Sequence, residues 1–336
     1  MSEYQYYEFL AVDRPLSVED QRALRTISSR ARITATSFTN HYEWGNLKAD
    51  PTRLLLRFFD LHVYVAMWGT KRLLIRLPGT ALSLADLDVF QLDECDLLEV
   101  RQTPDGWLID IDVEGDEEAA WDEFDDGSGW MGTLAGLRQE LLSGDLRLFY
   151  LCWLWSVQAG HIREEVLEPL PGIGPLTSSQ HALAEFMALD PMLVEAAAES
   201  GERAPTGSEV EGFVVTLPLH EKNALLRRLL EGDGSVTAEL QRRLRQYGQA
   251  DQPPRRSVAE LKIQAGRLSR ATSPGLFEGK GTPASGAGGG RREAAPGANG
   301  PGGQVGRASL GGSAEPDWPS AAQGLRVGRQ SAGRPA

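Results

Sequence analysis

Apolar positions change period repeatedly along the first 113 residues, and each change marks a predicted element. Tyr6, Tyr7, Phe9, Leu10 and Val12 form an aromatic and β-branched run that Asp13-Arg14-Pro15 closes, which predicts a strand. Ser17-Val18-Glu19-Asp20 has the form of an N-cap followed by an acidic first turn, and Val18, Leu24 and Ile27 give that helix its apolar face. Residues 33–39 read as a second strand. Asp50-Pro51 opens the next helix, with Asp50 as N-cap, Pro51 at the first helical position and Leu54, Leu55, Phe58 and Phe59 as the buried stripe. From Leu61 the period drops to two. Leu61, Val63, Val65 and Met67 alternate with His62, Tyr64, Ala66 and Trp68, then Gly69-Thr70 turns the chain into residues 71–77. A second hairpin runs from residues 97–100 through Pro104-Asp105-Gly106 to residues 107–111. The order strand, helix, strand, helix, hairpin, hairpin predicts an α+β domain over residues 1–113: a mixed sheet with helices on one face.

Beyond residue 113 the pattern is helical. An acidic loop over 114–130 leads into a helical domain over 131–250. Leu134, Leu137, Leu141 and Leu142 mark one helix, which Ser143-Gly144-Asp145 breaks. Leu146 to Ala159 is apolar on nearly every side, as in a helix central to a core or lying in an interface. Residues 169–175 read as a connector, and Ser178 or Ser179 caps the helix that carries Leu183, Phe186 and Met187. Asp190-Pro191 opens another helix. Residues 217–230 and 236–247 form a helical pair around Gly232-Asp233-Gly234, and Ser257-Val258-Ala259-Glu260 starts a short helix within 251–270. Residues 271–336 hold 17 of the 37 glycines and seven prolines. That composition buries too little apolar surface to offset the entropy of ordering it, so a disordered tail is expected.

Charge divides the same way. The chain carries a formal −13, and residues 252–336 contribute +7, which leaves −20 on residues 1–251. A body that acidic repels phosphate backbones, so direct nucleic-acid binding by the core is not expected. Two cysteines, Cys95 and Cys152, make no disulfide framework. The N-terminus has no basic segment followed by an apolar run, and the apolar run 146–157 is too short to span a bilayer. A cytoplasmic protein without membrane association is the expectation.

Three regions hold chemistry-bearing residues. Residues 110–126 contain ten carboxylates and no base. Asp110, Asp112 and Glu114 imitate the start of a calcium loop, but Trp121 stands where the bidentate Glu belongs, so a solvated acidic loop is the plainer reading. Its aromatics Trp121, Phe124 and Trp130 suit partner docking better than catalysis. The second region is Asn40-His41-Tyr42-Glu43-Trp44-Gly45, read as a turn after a strand. His41 and Glu43 supply acid and base groups and Arg32 can reach an anion, but no nucleophile with a matched base accompanies them. The third is Pro171-Gly172-Ile173-Gly174, which has the form of a DNA-binding helix-hairpin-helix loop. Glu164, Glu165 and Glu168 in the preceding helix, and the flanking Pro169 and Pro175, favour a simple connector. The remaining histidines are scattered. His181 and Glu185 share a helix face, which is weak support for zinc. No cofactor-binding motif is present in the sequence, and none is expected.

Tyr6-Tyr7-Glu8-Phe9, Ser28-Ser29-Arg30-Ala31-Arg32-Ile33, Asn40-His41-Tyr42-Glu43-Trp44-Gly45 and Trp68-Gly69-Thr70 together resemble a family of uncharacterised bacterial proteins, over about residues 4–260. That resemblance implies a bacterial protein and carries no catalytic residues over. It also implies a long Ala/Glu/Arg-rich helix at the end, which this chain begins at Ser257 and leaves after Arg270. The sequence therefore points first to a non-catalytic protein-binding or scaffolding module with an unidentified protein partner. A hydrolase or transferase acting on an anionic substrate at Arg32, His41 and Glu43 is the enzyme alternative. A nucleic-acid-associated accessory protein is the third reading.

Overall fold

A computed structural model describes residues 4–90, 95–115, 125–201, 205–233, 235–248 and 253–272, together with Arg326–Val327. The chain begins with strand β1 (Gln5–Leu10), helix α1 (Val18–Ile27), strands β2 (Arg32–Ile33) and β3 (Ser37–Tyr42), and helix α2 (Pro51–Phe58). Strands β4 (Leu61–Ala66) and β5 (Lys71–Pro78), helix α3 (Leu84–Asp88), and strands β6 (Leu98–Thr103) and β7 (Gly106–Val113) follow. The strands lie in the order β2-β3-β1-β4-β5-β7-β6, and Arg326–Val327 pairs with the outer edge of β6 as β8. The α+β class is as expected, but the sheet is antiparallel throughout rather than mixed.

The reason lies at residues 34–36. Thr34 Oγ1 accepts from the amides of Thr36 and Ser37, and Thr34 N–H donates to the Ser37 carbonyl at 2.9 Å. This tight turn splits the single strand expected over 33–39 into the β2–β3 hairpin. β3 therefore reaches β1 running the opposite way, with Gln5 opposite Tyr42 and Leu10 opposite Ser37. The β4–β5 connection is also longer than the two residues expected. Ala66 N–H bonds to the Thr70 carbonyl, so residues 67–70 form the turn, with Gly69 at φ +83°.

Helices cover both faces of the sheet, not one. α1 and α2 pack through Leu24, Leu54, Leu55 and Phe58 against Tyr7, Phe9, Phe38 and Leu74. Val18, expected in that apolar face, is exposed. The other sheet face, with Val63, Val65, Leu73, Ile75 and Ile109, joins one continuous apolar cluster with the helical half of the chain. That half begins with α4 (Trp130–Leu134), α5 (Gly136–Leu142) and α6 (Arg147–Gln158). It continues with α7 (Ser178–Phe186), α8 (Pro191–Ala198), α9 (Gly207–Thr216), α10 (Leu219–Leu230), α11 (Ser235–Tyr247) and α12 (Val258–Thr272). α6 is central, as its all-round apolar sequence requires: Phe149, Tyr150, Leu151, Trp153 and Leu154 are buried on every side.

Capping signals place most helix starts. Ser17 and Asp20 form a reciprocal capping box, and Asp50 and Asp190 cap helices that open with proline. α7 is capped by Thr177 rather than Ser178 or Ser179, because Gln180 three residues on bonds back to the Thr177 amide. α3 and α9 have no counterpart in the sequence reading. Among the described residues no helix is long and apolar enough to cross a membrane. The tail expectation falls on residues outside those described, apart from the end of α12 and Arg326–Val327.

Candidate functional site

The Arg32, His41 and Glu43 region lies at the β2–β3 edge of the sheet. Asn40, His41 and Tyr42 belong to β3 rather than to a turn after it, and Arg32 pairs with Thr39 across the hairpin. All three candidates are exposed, and no hydrogen bond or ion pair joins them to one another. The His41 ring stacks on Tyr4 at 6.2 Å. Asn40 is buried and donates to Ser28 Oγ at 2.9 Å, tying β3 to the end of α1. Gln5 Nε2 reaches the Gly45 carbonyl and Asn46 Oδ1, which fixes the following loop and leaves Trp44 66 % exposed. This edge holds an acid, a base and a guanidinium on one exposed surface without assembling them.

The acidic candidates divide between two environments. Asp110 is buried on β7 and takes a bidentate pair from Arg72, Nε to Oδ1 at 2.8 Å and Nη2 to Oδ2 at 2.7 Å. Its charge is thereby neutralised inside the sheet surface. Asp112 lies on the same strand, and Glu114 is exposed beyond its end. Among the described residues no group of three or more His, Cys, Asp or Glu is placed to hold a metal ion. Trp121 and Phe124 lie outside the described residues. Trp130 is held from several sides. Its indole N–H donates to Asp125 Oδ2 at 2.7 Å, its ring meets Phe186 edge-on, and Lys71 Nζ sits 4.8 Å above it. Burial pushes the Asp125 carboxyl up, but the Trp130 indole, the Gly127 amide and Lys71 outweigh it and hold it below the usual carboxylate range.

The Pro171-Gly172-Ile173-Gly174 loop does not present its amides to a ligand. Gly172 N–H bonds to the Leu170 carbonyl, Ile173 N–H to Ala197 and Gly174 N–H to Ser200. Ile173 pairs with Gly201 as an isolated β-bridge. The residues before the loop are irregular rather than helical, and Glu168 is fully buried instead of facing out. The loop is a connector, and it forms one wall of a concavity lined by described residues.

That concavity has a volume of about 1030 Å³. It lies between α3, the α5–α6 turn at residues 143–147, the 169–175 connector, α11 and residues 253–255. Gly144 brings two of these walls together. At φ +83° it adopts a backbone that suits glycine, and a Cβ there would lie 3.2 Å from the Ala238 Cα of α11. Arg147 braces the floor through Asp145 and the carbonyls of Ile173 and Pro175. Asp145 also accepts from the fully buried Gln180, which donates to Glu140 as well. Arg242, Arg245 and Arg255 line the opposite side. The helical pair expected over 217–230 and 236–247 does not by itself single out these arginines. The available signal was the spacing of Arg242 and Arg245, one helical turn apart on a single face.

A second surface is an exposed aliphatic one. On α9 and α10, Val210, Val214, Val215, Leu219, Leu226, Leu229 and Leu230 are all exposed, Leu230 at 88 %. On α10, Leu219, Leu226 and Leu230 recur at intervals of seven and four residues, which keeps them within one stripe of the helix. Inward packing of this unit rests on Phe213, Leu225, Val236 and Ala238, with Phe213 set against Tyr247. The chain matches no protein-family model, no curated protein and no solved structure.

Proposed function

We propose that the protein is a non-catalytic protein-binding module that receives an apolar helix of a partner protein on the exposed stripe of α10 and the adjoining α9. The observation that supports this reading is the row of solvent-facing aliphatic side chains on two successive helices. Scattered exposed leucines are ordinary, whereas an apolar stripe along a helix is the usual form of a helix-binding surface. Charge favours a different protein over a second copy. Residues 207–247 carry six Lys/Arg against six Asp/Glu, so the surface itself is neutral, while residues 1–251 as a whole carry −20. Two such bodies repel each other, so a partner with a neutral or basic surround fits better. A reducing cytoplasm is part of the same proposal, supported by Cys95 and Cys152 as buried free thiols. So is a bacterial origin, supported by the residue resemblance.

The test is a crosslinking capture with the full chain and with a Leu226→Glu/Leu230→Glu variant, both side chains being exposed so that folding is retained. A partner held by the wild-type chain and lost by the variant, at equal melting temperature, supports the reading. A partner retained by the variant overturns it, as does a chain that stays alone. A doubled mass by light scattering that the variant abolishes replaces the foreign partner with a second copy.

A further inference from the structure

We infer that the groove between α11 and the 169–175 connector is a binding site for a small oxyanion, a phosphate ester or a dicarboxylate, attached to an apolar body. The argument rests on how the arginines are used. Arg147 is committed to Asp145 and two carbonyls. Arg242 gives only its Nε, to Asp86 Oδ1 at 2.9 Å. Arg245 gives only one Nη, to the Gly144 carbonyl at 2.7 Å. Arg255 is exposed and makes no hydrogen bond or ion pair with any described residue. The guanidinium edges of Arg242, Arg245 and Arg255 therefore retain most of their donors, and they line one cavity.

The acids on that lining pair two of its four arginines, Arg242 with Asp86 and Arg147 with Asp145, whereas Arg245 and Arg255 form no ion pair with any described residue. Asp86 accepts from the Ser83 amide and hydroxyl as well as from Arg242, and Asp145 is taken by Arg147 and Gln180. The lining carries four arginines against two aspartates, a local excess of positive charge on a protein whose residues 1–251 sum to −20. Guanidinium forks match the paired oxygens of phosphate and carboxylate. Val89, Leu146, Leu170, Pro171 and Ile173 supply apolar wall beside the polar Ser143, Gln241 and Gln246. A volume near 1030 Å³ suits a ligand of metabolite size. The amides of the connector are already bonded, so recognition falls to the arginine side chains, and no chemistry on the ligand is implied.

Isothermal titration of the full chain with phenyl phosphate and with phthalate tests the inference, sodium chloride at matched ionic strength serving as control. The expected result is one saturable site for at least one of the two anions. Arg255→Ala should weaken it about tenfold, the worth of one charge-assisted hydrogen bond. Arg255 is exposed and makes no hydrogen bond or ion pair with any described residue, so this variant leaves the fold intact. Arg245→Ala should abolish binding. Phenyl phosphate alone assigns a phosphate ester, and phthalate alone a dicarboxylate. No saturable heat from either probe overturns the inference, as does binding that Arg255→Ala and Arg245→Ala leave unchanged. These residues are distinct from the α10 stripe, so failure here is separable from failure of the helix-docking reading.

Discussion

Arg256 holds Glu168 through three nitrogens: its backbone N–H reaches Oε1 at 2.8 Å, its Nε reaches Oε1 at 3.0 Å, and its Nη2 reaches Oε2 at 2.9 Å. Glu168 is fully buried, and the Tyr150 hydroxyl donates to its Oε2 at 2.5 Å. The Glu168 amide returns a bond to the Arg256 carbonyl. Segments 88 residues apart are thus locked at the start of α12, which packs on α8.

Breaking one side of this pair leaves a charge in a dry site, which costs about 3–5 kcal/mol. Arg256→Ala and Glu168→Gln are each expected to destabilise by that amount in urea unfolding. Tyr150→Phe removes one bond while leaving the ion pair, so about 1–3 kcal/mol is expected. Hydrogen exchange should show α12 opening first in the two charge variants. Equal loss for all three substitutions would contradict the assignment of Arg256 as the main partner.

His62 should make stability fall with acid well above the carboxylate range. It is fully buried between Phe9, at 3.9 Å between ring centroids, and Tyr7, and its Nδ1 meets the Glu8 carbonyl while Nε2 has no partner. Burial pushes its pKa down to about 3, with Arg72 adding to the effect against the Glu8 carbonyl. The unfolded chain takes up this proton near pH 6.5 and the folded chain does not. Stability is therefore whole above pH 6.5 and declines as pH falls toward 3, by about 3 kcal/mol at pH 4. His62→Leu should flatten the profile between pH 6.5 and 4. An unchanged slope would show that other groups carry it.

Asp60 governs the next step down in pH. Burial pushes its carboxyl up, but the amides of Asp13 and Val12 and the Arg76 guanidinium outweigh it and hold the pKa below the ordinary value. A depressed carboxylate contributes stability above its unfolded pKa, and that contribution disappears as pH falls through the folded value. Asp60→Asn should lower stability at pH 7 and lose less of what remains below pH 4. A parallel downward shift of the whole acid curve would refute the role.

His62 also shows where sequence reading stops. Its period-two alternation put it on the polar side of β4, which holds for a sheet covered on one face. Here α1 and α2 close that second face, so the histidine is buried. Local chemistry was legible wherever it is self-contained: Ser17, Asp50, Asp190 and Ser257 cap helices as their neighbours indicate. α9 escaped because its glycines and paired valines are weak helix formers, although Thr206 and Glu209 form a capping box. Beyond the one-turn spacing of Arg242 and Arg245, the groove was not legible. Arg245 and Gly144 are 101 residues apart, and only the packing of α11 on the α5–α6 turn brings them together.

Two glycines separate that packing from simple backbone strain. Gly144 and Gly232 have nearly equal φ values, +83° and +84°. An alanine at either position bears the cost of a left-handed backbone, about 1 kcal/mol. At Gly232 the added methyl meets nothing within 4 Å, so the cost ends there. At Gly144 it meets the Ala238 Cα at 3.2 Å and the Gln241 side chain at 3.4 Å, so α11 must move away from the turn. That movement also stretches the bond from Arg245 to the Gly144 carbonyl. Gly144→Ala should therefore cost at least 1 kcal/mol more than Gly232→Ala in urea unfolding. It should also raise amide exchange along α11, which Gly232→Ala should leave near wild type. Equal losses for the two variants would mean that α11 does not rest on Gly144, and the groove wall would then lack the support described for it.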